Sequence, residues 1–125
     1  MLPKQYRLKK RTAFNATYRV KNSTHSGGVT LFAGILKTAV KQTDENSFTL
    51  PTKVGFVVSK KVHKRAVKRN RLKRLMRESY RQLLKENDLG DSQKYLSLIF
   101  VGSDRALGKN FDFIKTNIKK MLERI

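Results

Sequence analysis

The chain has 125 residues, 29 of them Lys or Arg against nine Asp or Glu, for a formal charge of +20; so large an excess repels itself unless a polyanion or counterions offset it. That length suits one domain with a modest core, spanning 1–125, whereas two autonomous domains would each be short of buried surface. The absence of cysteine excludes disulfides and thiolate metal sites, and no apolar run approaches the roughly eighteen residues of a membrane-spanning helix.

At the start, MLPKQYRLKKR is basic but is not followed by the apolar stretch of a signal peptide, so a cytoplasmic location is expected. Leu8 to about Lys21 is predicted to be helical, with Thr12 as its cap. Through Lys21 the chain has seven basic residues and no acid. Phe14 and Tyr18 stand one turn apart in it. Either these rings bury against a sheet, or one leaves an edge in a groove, where it stacks on an unpaired base while Arg19 or Lys21 meets the backbone. Asn22 to Gly28 is rich in turn formers, with room for a short extended piece. VTLFAGILKTAV, Val29 to Val40, reads as a central strand with Thr30, Phe32, Gly34, Leu36 and Thr38 on one face. Gly34 is a bulge, a close approach or a tolerated weakness. Gln42 to Pro51 is a loop.

KVGFVVS, Lys53 to Ser59, is a second strand rich in β-branched residues, and it runs straight into a cationic loop from Lys60 to Arg65. Lysines and backbone amides at a helix start suit phosphate. From Ala66 to about Glu86 or Asn87 the pattern is an amphipathic helix. Leu72, Leu75, Met76, Ser79 and Leu83 share one side, and Asn70, Lys73, Arg74, Arg77 and Arg81 the other, with Arg69 and Arg71 on the two flanks. Thirteen of the thirty-three residues from Lys53 to Lys85 are Lys or Arg and only Glu78 is acidic, against two cations in the preceding thirty-one. The charge is therefore localised. One helix face serves a core and the other a polyanion, most simply nucleic acid, because each neutralised phosphate releases condensed counterions.

NDLGDS, with its glycine, ends that helix. YLSLIFV, Tyr95 to Val101, is a further strand, GSDRALGKN a loop, and Phe111 to Ile125 a last helix with Ile114, Ile118, Met121, Leu122 and Ile125 as its apolar stripe. The order α-β-β-β-α-β-α describes a small α/β helix-on-sheet sandwich with a βαβ crossover, whose hand the residues do not give although the general rule favours a right-handed one.

KVGFVVSKKVHKRAVKRNRLKRLMRE, Lys53 to Glu78, resembles the signature of the protein subunit of bacterial ribonuclease P. LKKRTAF before the first helix, Phe14 and Tyr18 within it, Phe32 on the early strand and the late strand and helix extend the likeness across nearly the whole chain. The resemblance implies a left-handed crossover around the basic helix, against the general rule. It also implies a catalytic RNA partner that uses Mg2+ to remove the 5′ leader from precursor tRNA, with no catalytic residue and no obligate protein partner on the protein side. Carried onto this sequence, the surface for the catalytic RNA is Lys60, Lys61, Lys64, Arg65, Lys68, Arg69, Asn70, Arg71, Lys73, Arg74 and Arg77. The leader groove is Phe14, Tyr18 and Phe32, with Arg19 and Lys21 at its rim. Two departures stand out: VHKR occupies the loop where some relatives have a glycine, and the late strand ends in FVGSDR, leaving Arg105 as a displaced substitute for a basic strand end.

The residues themselves agree with such a division of labour. A nuclease acting alone needs clustered carboxylates for metals or a histidine acid-base pair, and here the acids are scattered and His25 and His63 are far apart. The alternatives are a ribosomal or assembly protein with a similar build, a DNA-binding protein using the basic helix in a major groove, which lacks a helix-turn-helix pair, and, weakest, a metal nuclease.

Overall fold

The computed structural model describes residues 3–37, 51–90 and 92–125. All of the predicted Gln42 to Pro51 loop except Pro51, and the last residues of the long predicted strand, Thr38 to Val40, lie outside the described residues. The elements are α1 (Arg11–Arg19), β1 (Asn22–Ser26), β2 (Val29–Ala33), β3 (Lys53–Val57), α2 (Ala66–Lys85), β4 (Ser97–Gly102) and α3 (Phe111–Arg124). The four strands form one sheet in the order β1-β2-β4-β3. β1 and β4 flank β2 antiparallel, while β3 pairs parallel with β4, so β3-α2-β4 is a crossover unit.

Helices α2 and α3 cover one face of the sheet. Val29, Leu31, Ala33, Val54, Leu98 and Phe100 point from the strands into a core closed by Leu72, Met76, Leu83, Ile114, Ile118, Met121 and Leu122. Each large side chain removed from water there contributes about 1.5–3 kcal/mol before chain entropy is counted. Tyr80, outside the predicted apolar stripe, is fully buried between Phe56 and Phe100, with ring centroids 6.3 and 5.9 Å away. Its hydroxyl accepts a hydrogen bond from Gln93 Nε2 at 3.1 Å, and burial pushes its pKa up to about 12. The tyrosine is accommodated because its one polar atom has a partner.

Several boundaries differ from the sequence expectation. Lys10, not Thr12, is the N-cap of α1, and it makes no side-chain capping bond; Thr12 already lies in the first turn. Asn22–Ser26 is a full edge strand despite its polar sequence, because its backbone pairs with β2 from Asn22 opposite Ala33 to Ser26 opposite Val29. β2 itself ends at Ala33, although pairing to the β4 side continues through the Gly34 N–H to Ser97 O bond at 2.8 Å and a bridge between Leu36 and Tyr95. Gly34 is a close approach, since a Cβ there would strike the Ser97 hydroxyl. The basic helix ends at Lys85, close to where the sequence puts it, but the left-handed residue that terminates it is Asn87 and not the glycine of NDLGDS. Asn87 adopts φ +54°, its N–H reaches Leu84 O at 3.2 Å, and the Asp88 N–H reaches Leu83 O at 2.9 Å. This pair of bonds satisfies the last helical carbonyls, and asparagine is among the few residues other than glycine that enter the left-handed region readily. α3 begins as its sequence suggests, with the Asn110 side chain accepting from the Phe113 N–H at 2.9 Å.

The opposite face of the sheet is covered only in part, by α1. A buried hydroxyl pair pins that helix: Thr17 Oγ1 and Ser97 Oγ are 2.6 Å apart, and since Thr17 already donates to Ala13 O, Ser97 is the donor between them. Before α1 the chain runs along the outer edge of β3, with the Leu8 N–H donating to Val54 O at 2.9 Å, which occupies an edge that would otherwise be open to another strand.

Candidate nucleic-acid interface

α2 is amphipathic in the way its sequence requires. Leu72, Met76, Ser79 and Leu83 are buried and Leu75 half-buried, while Lys68, Asn70, Arg71 and Arg74 are exposed and Lys73, Arg77 and Arg81 half-buried on the polar side. Packing the leucines against the sheet therefore turns the cations outward. Ser79 survives on the apolar side because its hydroxyl donates to Leu75 O at 2.7 Å.

The predicted cations divide by what they do in the folded chain. Arg81 forms two hydrogen bonds with Glu78, at 2.6 and 3.0 Å, and this contact holds the Glu78 carboxyl below its ordinary range. Arg69 turns back onto the β3-α2 loop, where one guanidinium nitrogen donates to His63 O at 2.7 Å and Lys64 O at 2.9 Å. His63 Nδ1 in turn accepts from the Arg65 N–H at 3.0 Å. Arg69 and His63 thus shape the loop that displays Lys60, Lys61, Lys64 and Arg65, all of them exposed. Arg71 reaches across to Lys109 O at 3.3 Å. The side chains of Lys68, Lys73, Arg74 and Arg77 make no hydrogen bond or ion pair with another described residue. This is the charge available to an outside anion.

The second predicted set, on the other face of the sheet, is brought together by register. Ile99 of β4 lies between Phe32 of β2 and Gly55 of β3. The ring of Phe14 stands over Gly55, within 2.5 Å of where a Cβ would be. Tyr18 meets Phe32 edge to face, centroids 5.0 Å apart at 81°. All three predicted rings are half-buried, and burial raises the Tyr18 pKa. They form a row across the sheet with Ile99 beneath. The next row on the same face, His25, Thr30, Val101 and Val57, continues the floor beyond α1, with His25 exposed and the other three half-buried. That second row is not legible in the sequence, because the polar residues of β1 do not announce a full strand and the register of β3 against β4 cannot be counted from spacing. Arg19 and Lys21 are exposed at the end of α1, and Lys21 adopts φ +60°. The Lys21 N–H donates to Tyr18 O at 3.2 Å, but neither side chain hydrogen-bonds to another described residue.

The profile of the ribonuclease P family matches residues 2–125. The chain belongs to the ribonuclease P protein family. Among curated relatives, the ribonuclease P protein component of a Pseudanabaena species is 36% identical over 99% of this chain and 94% of its own length. That of a Synechococcus species is 30% identical over 99% of this chain and 84% of its own. The fold is likewise that of solved ribonuclease P proteins. The Staphylococcus aureus protein superposes with a TM-score of 0.71 at 21% identity, covering 97% of this chain and 95% of that one. The Thermotoga maritima protein gives 0.69 at 18%, covering 95% and 96%. The basic segment Lys60–Arg77, which carries the resemblance, lies on α2 and the loop before it, and Phe14, Tyr18 and Phe32 lie in the row beneath α1. Arg105, the displaced basic residue, is exposed just beyond β4, while Gly102 is buried against Leu72 and Ser103 is occupied in bonding to Gly28 O.

Proposed function

We propose that this chain is the RNA-binding subunit of the ribonucleoprotein endoribonuclease that removes the 5′ leader from precursor tRNA. The catalytic RNA docks on α2 and its preceding loop through Lys60, Lys61, Lys64, Arg65, Lys68, Asn70, Arg71, Lys73, Arg74 and Arg77, with Arg69 shaping the loop. The single-stranded leader lies in the groove beside α1, stacking on Phe14, Tyr18 and Phe32, with Arg19 and Lys21 at its rim. The observation that carries this reading is that four cations of α2 have no partner among the described residues, on a helix whose other side is locked into the core. Such a face is preorganised for phosphates.

The chemistry of cleavage belongs to the RNA in this reading. Magnesium requires an oxygen-rich site, and among the described residues no three His, Asp or Glu side chains converge on one. We assign the ion to the RNA, as the resemblance implies, and no step is routed through the protein. The decisive experiment combines RNA-free protein, catalytic RNA, Mg2+ and precursor tRNA. Protein alone yields no mature 5′ end, RNA with Mg2+ yields some, and the two together cleave far better at low salt. Robust cleavage by protein stripped of RNA would overturn the assignment.

A further inference from the structure

At the end of the sheet, away from α1, a solvent-open cleft of about 390 Å³ is lined by His25, Gly27, Gly28, Arg105, Lys109 and Phe113. None of its lining residues is among the cations assigned to the RNA surface on α2 and its loop or the residues Phe14, Tyr18, Phe32, Arg19 and Lys21 of the leader groove, although Arg105 is the displaced strand-end cation and His25 borders the floor beyond α1. The walls are firmly fixed. Arg124 donates to His25 O at 2.9 Å, Ser26 Oγ donates to Asn117 Oδ1 at 2.7 Å, and Ser103 binds Gly28 O through both its N–H (2.9 Å) and its hydroxyl (2.7 Å). Gly27 and Gly28 turn at φ +60° and +86°, and a Cβ on either would collide, with Asn117 or with the backbone of Ala106. The β1-β2 turn is thereby clamped to both β4 and α3.

The contents of this cleft fit one kind of ligand. Arg105 and Lys109 are exposed and form no ion pair with a described residue, and no carboxylate lines the cleft, although Asp104 and Asp112 are exposed nearby in sequence. Phe113 leaves 37% of its surface in water, one of the few large apolar side chains so exposed, with the Lys109 ammonium 5.1 Å from its ring centroid. Two cations, one of them held over a part-exposed aromatic ring, match a phosphate followed by an unpaired base. Arg71 of α2 donates to Lys109 O, so the cleft continues the cationic face of that helix as one ledge.

We propose that this cleft receives a single unpaired nucleotide of the catalytic RNA, its phosphate against Arg105 and Lys109 and its base on Phe113. The assignment rests on the function proposed above, because it takes the RNA on α2 to be that partner. His25 borders the floor that runs on from the aromatic row, but the two cations of the cleft stand on the α2 side, where Arg71 bonds to Lys109 O, and that cationic continuity selects the catalytic RNA over the leader.

Binding of the full chain to catalytic RNA in Mg2+ buffer, as a function of salt, tests this. Phe113→Ala weakens binding about tenfold with no change of salt slope. Arg105→Ala with Lys109→Ala weakens it similarly and lowers the slope by roughly 0.7–0.9, since one phosphate is no longer neutralised. The ratio of affinities for precursor and mature tRNA in the holoenzyme stays constant in both variants. Because the chain has no tryptophan, Phe113→Trp supplies a single fluorophore that retains affinity and is quenched as the RNA binds. Unchanged affinity in both loss variants, an unquenched tryptophan in the RNA-bound complex, or an effect confined to the precursor-to-mature ratio each overturns the assignment. If wild-type chain fails to bind the catalytic RNA at all, the proposed function falls and takes this assignment with it. If wild type binds and the variants match it, only the cleft assignment falls.

Discussion

Gly55→Ala offers a direct test of how β3 shapes the groove. The new Cβ would sit 2.5 Å from both Cε1 and Cζ of Phe14 and 3.6 Å from Leu8 Cβ. Ordinary carbon contacts are about 3.5–4.0 Å, so the ring has to move by roughly 1 Å or leave its seat. Overpacking of this kind costs about 1–3 kcal/mol, and replacing a strand glycine returns about 0.5–1 kcal/mol of chain entropy. The expected net loss is therefore about 1–2 kcal/mol. In a Phe14→Ala background the obstacle is gone, and Gly55→Ala becomes neutral or slightly stabilising. Urea titration of wild type, both single variants and the double variant measures the coupling, expected at about 1–3 kcal/mol with equal m-values. A displaced Phe14 also lowers the preference of the holoenzyme for precursor over mature tRNA in the Gly55→Ala variant. Equal destabilisation by Gly55→Ala in both backgrounds, within about 0.5 kcal/mol, would refute the packing of Phe14 on Gly55 and with it the geometry of the groove.

Arg74→Ala with Arg77→Ala leaves the urea midpoint nearly unchanged but lowers affinity for the catalytic RNA and reduces the salt slope by roughly one for each phosphate that goes unneutralised. Arg69→Ala instead costs about 1 kcal/mol of stability by releasing the His63 and Lys64 carbonyls, most of which water re-satisfies; a shifted midpoint in urea separates it from the outward-facing arginines. Tyr18→Ala and Phe32→Ala, once circular dichroism confirms folding, each reduce the precursor-to-mature affinity ratio by an amount equivalent to about 1–3 kcal/mol per stacked base, and an unchanged ratio across several leader sequences would make these rings purely structural. Glu78→Gln removes a carboxylate whose folded-state pKa is depressed by its hydrogen bond from Arg81. The stability that this carboxylate contributes is present above the unfolded carboxylate pKa of about 4.3 and is lost as pH falls through the lower folded value, so the difference from wild type at pH 7 shrinks toward pH 3 in paired urea titrations.

The sequence by itself determined the partition of α2. Leucines, Met76 and Ser79 at three- and four-residue steps can bury together only on one side, which leaves Lys73, Arg74 and Arg77 to face solvent; local periodicity carries that information. The same holds for the stripe of α3 and for the β-branched run of β3. Tertiary structure decided what depends on partners distant in sequence. Asn22–Ser26 has no apolar alternation and becomes a strand because β2 satisfies its backbone. Tyr80 is buried because Phe56, Phe100 and Gln93 converge on it. Arg69, placed by the sequence on the flank of the cationic face, braces the β3-α2 loop through two carbonyls that only the folded loop presents. The cleft of Arg105, Lys109 and Phe113 draws His25 from eighty residues earlier in the chain. No spacing along one segment encodes such a meeting, because it arises when the β1-β2 turn is clamped between β4 and α3.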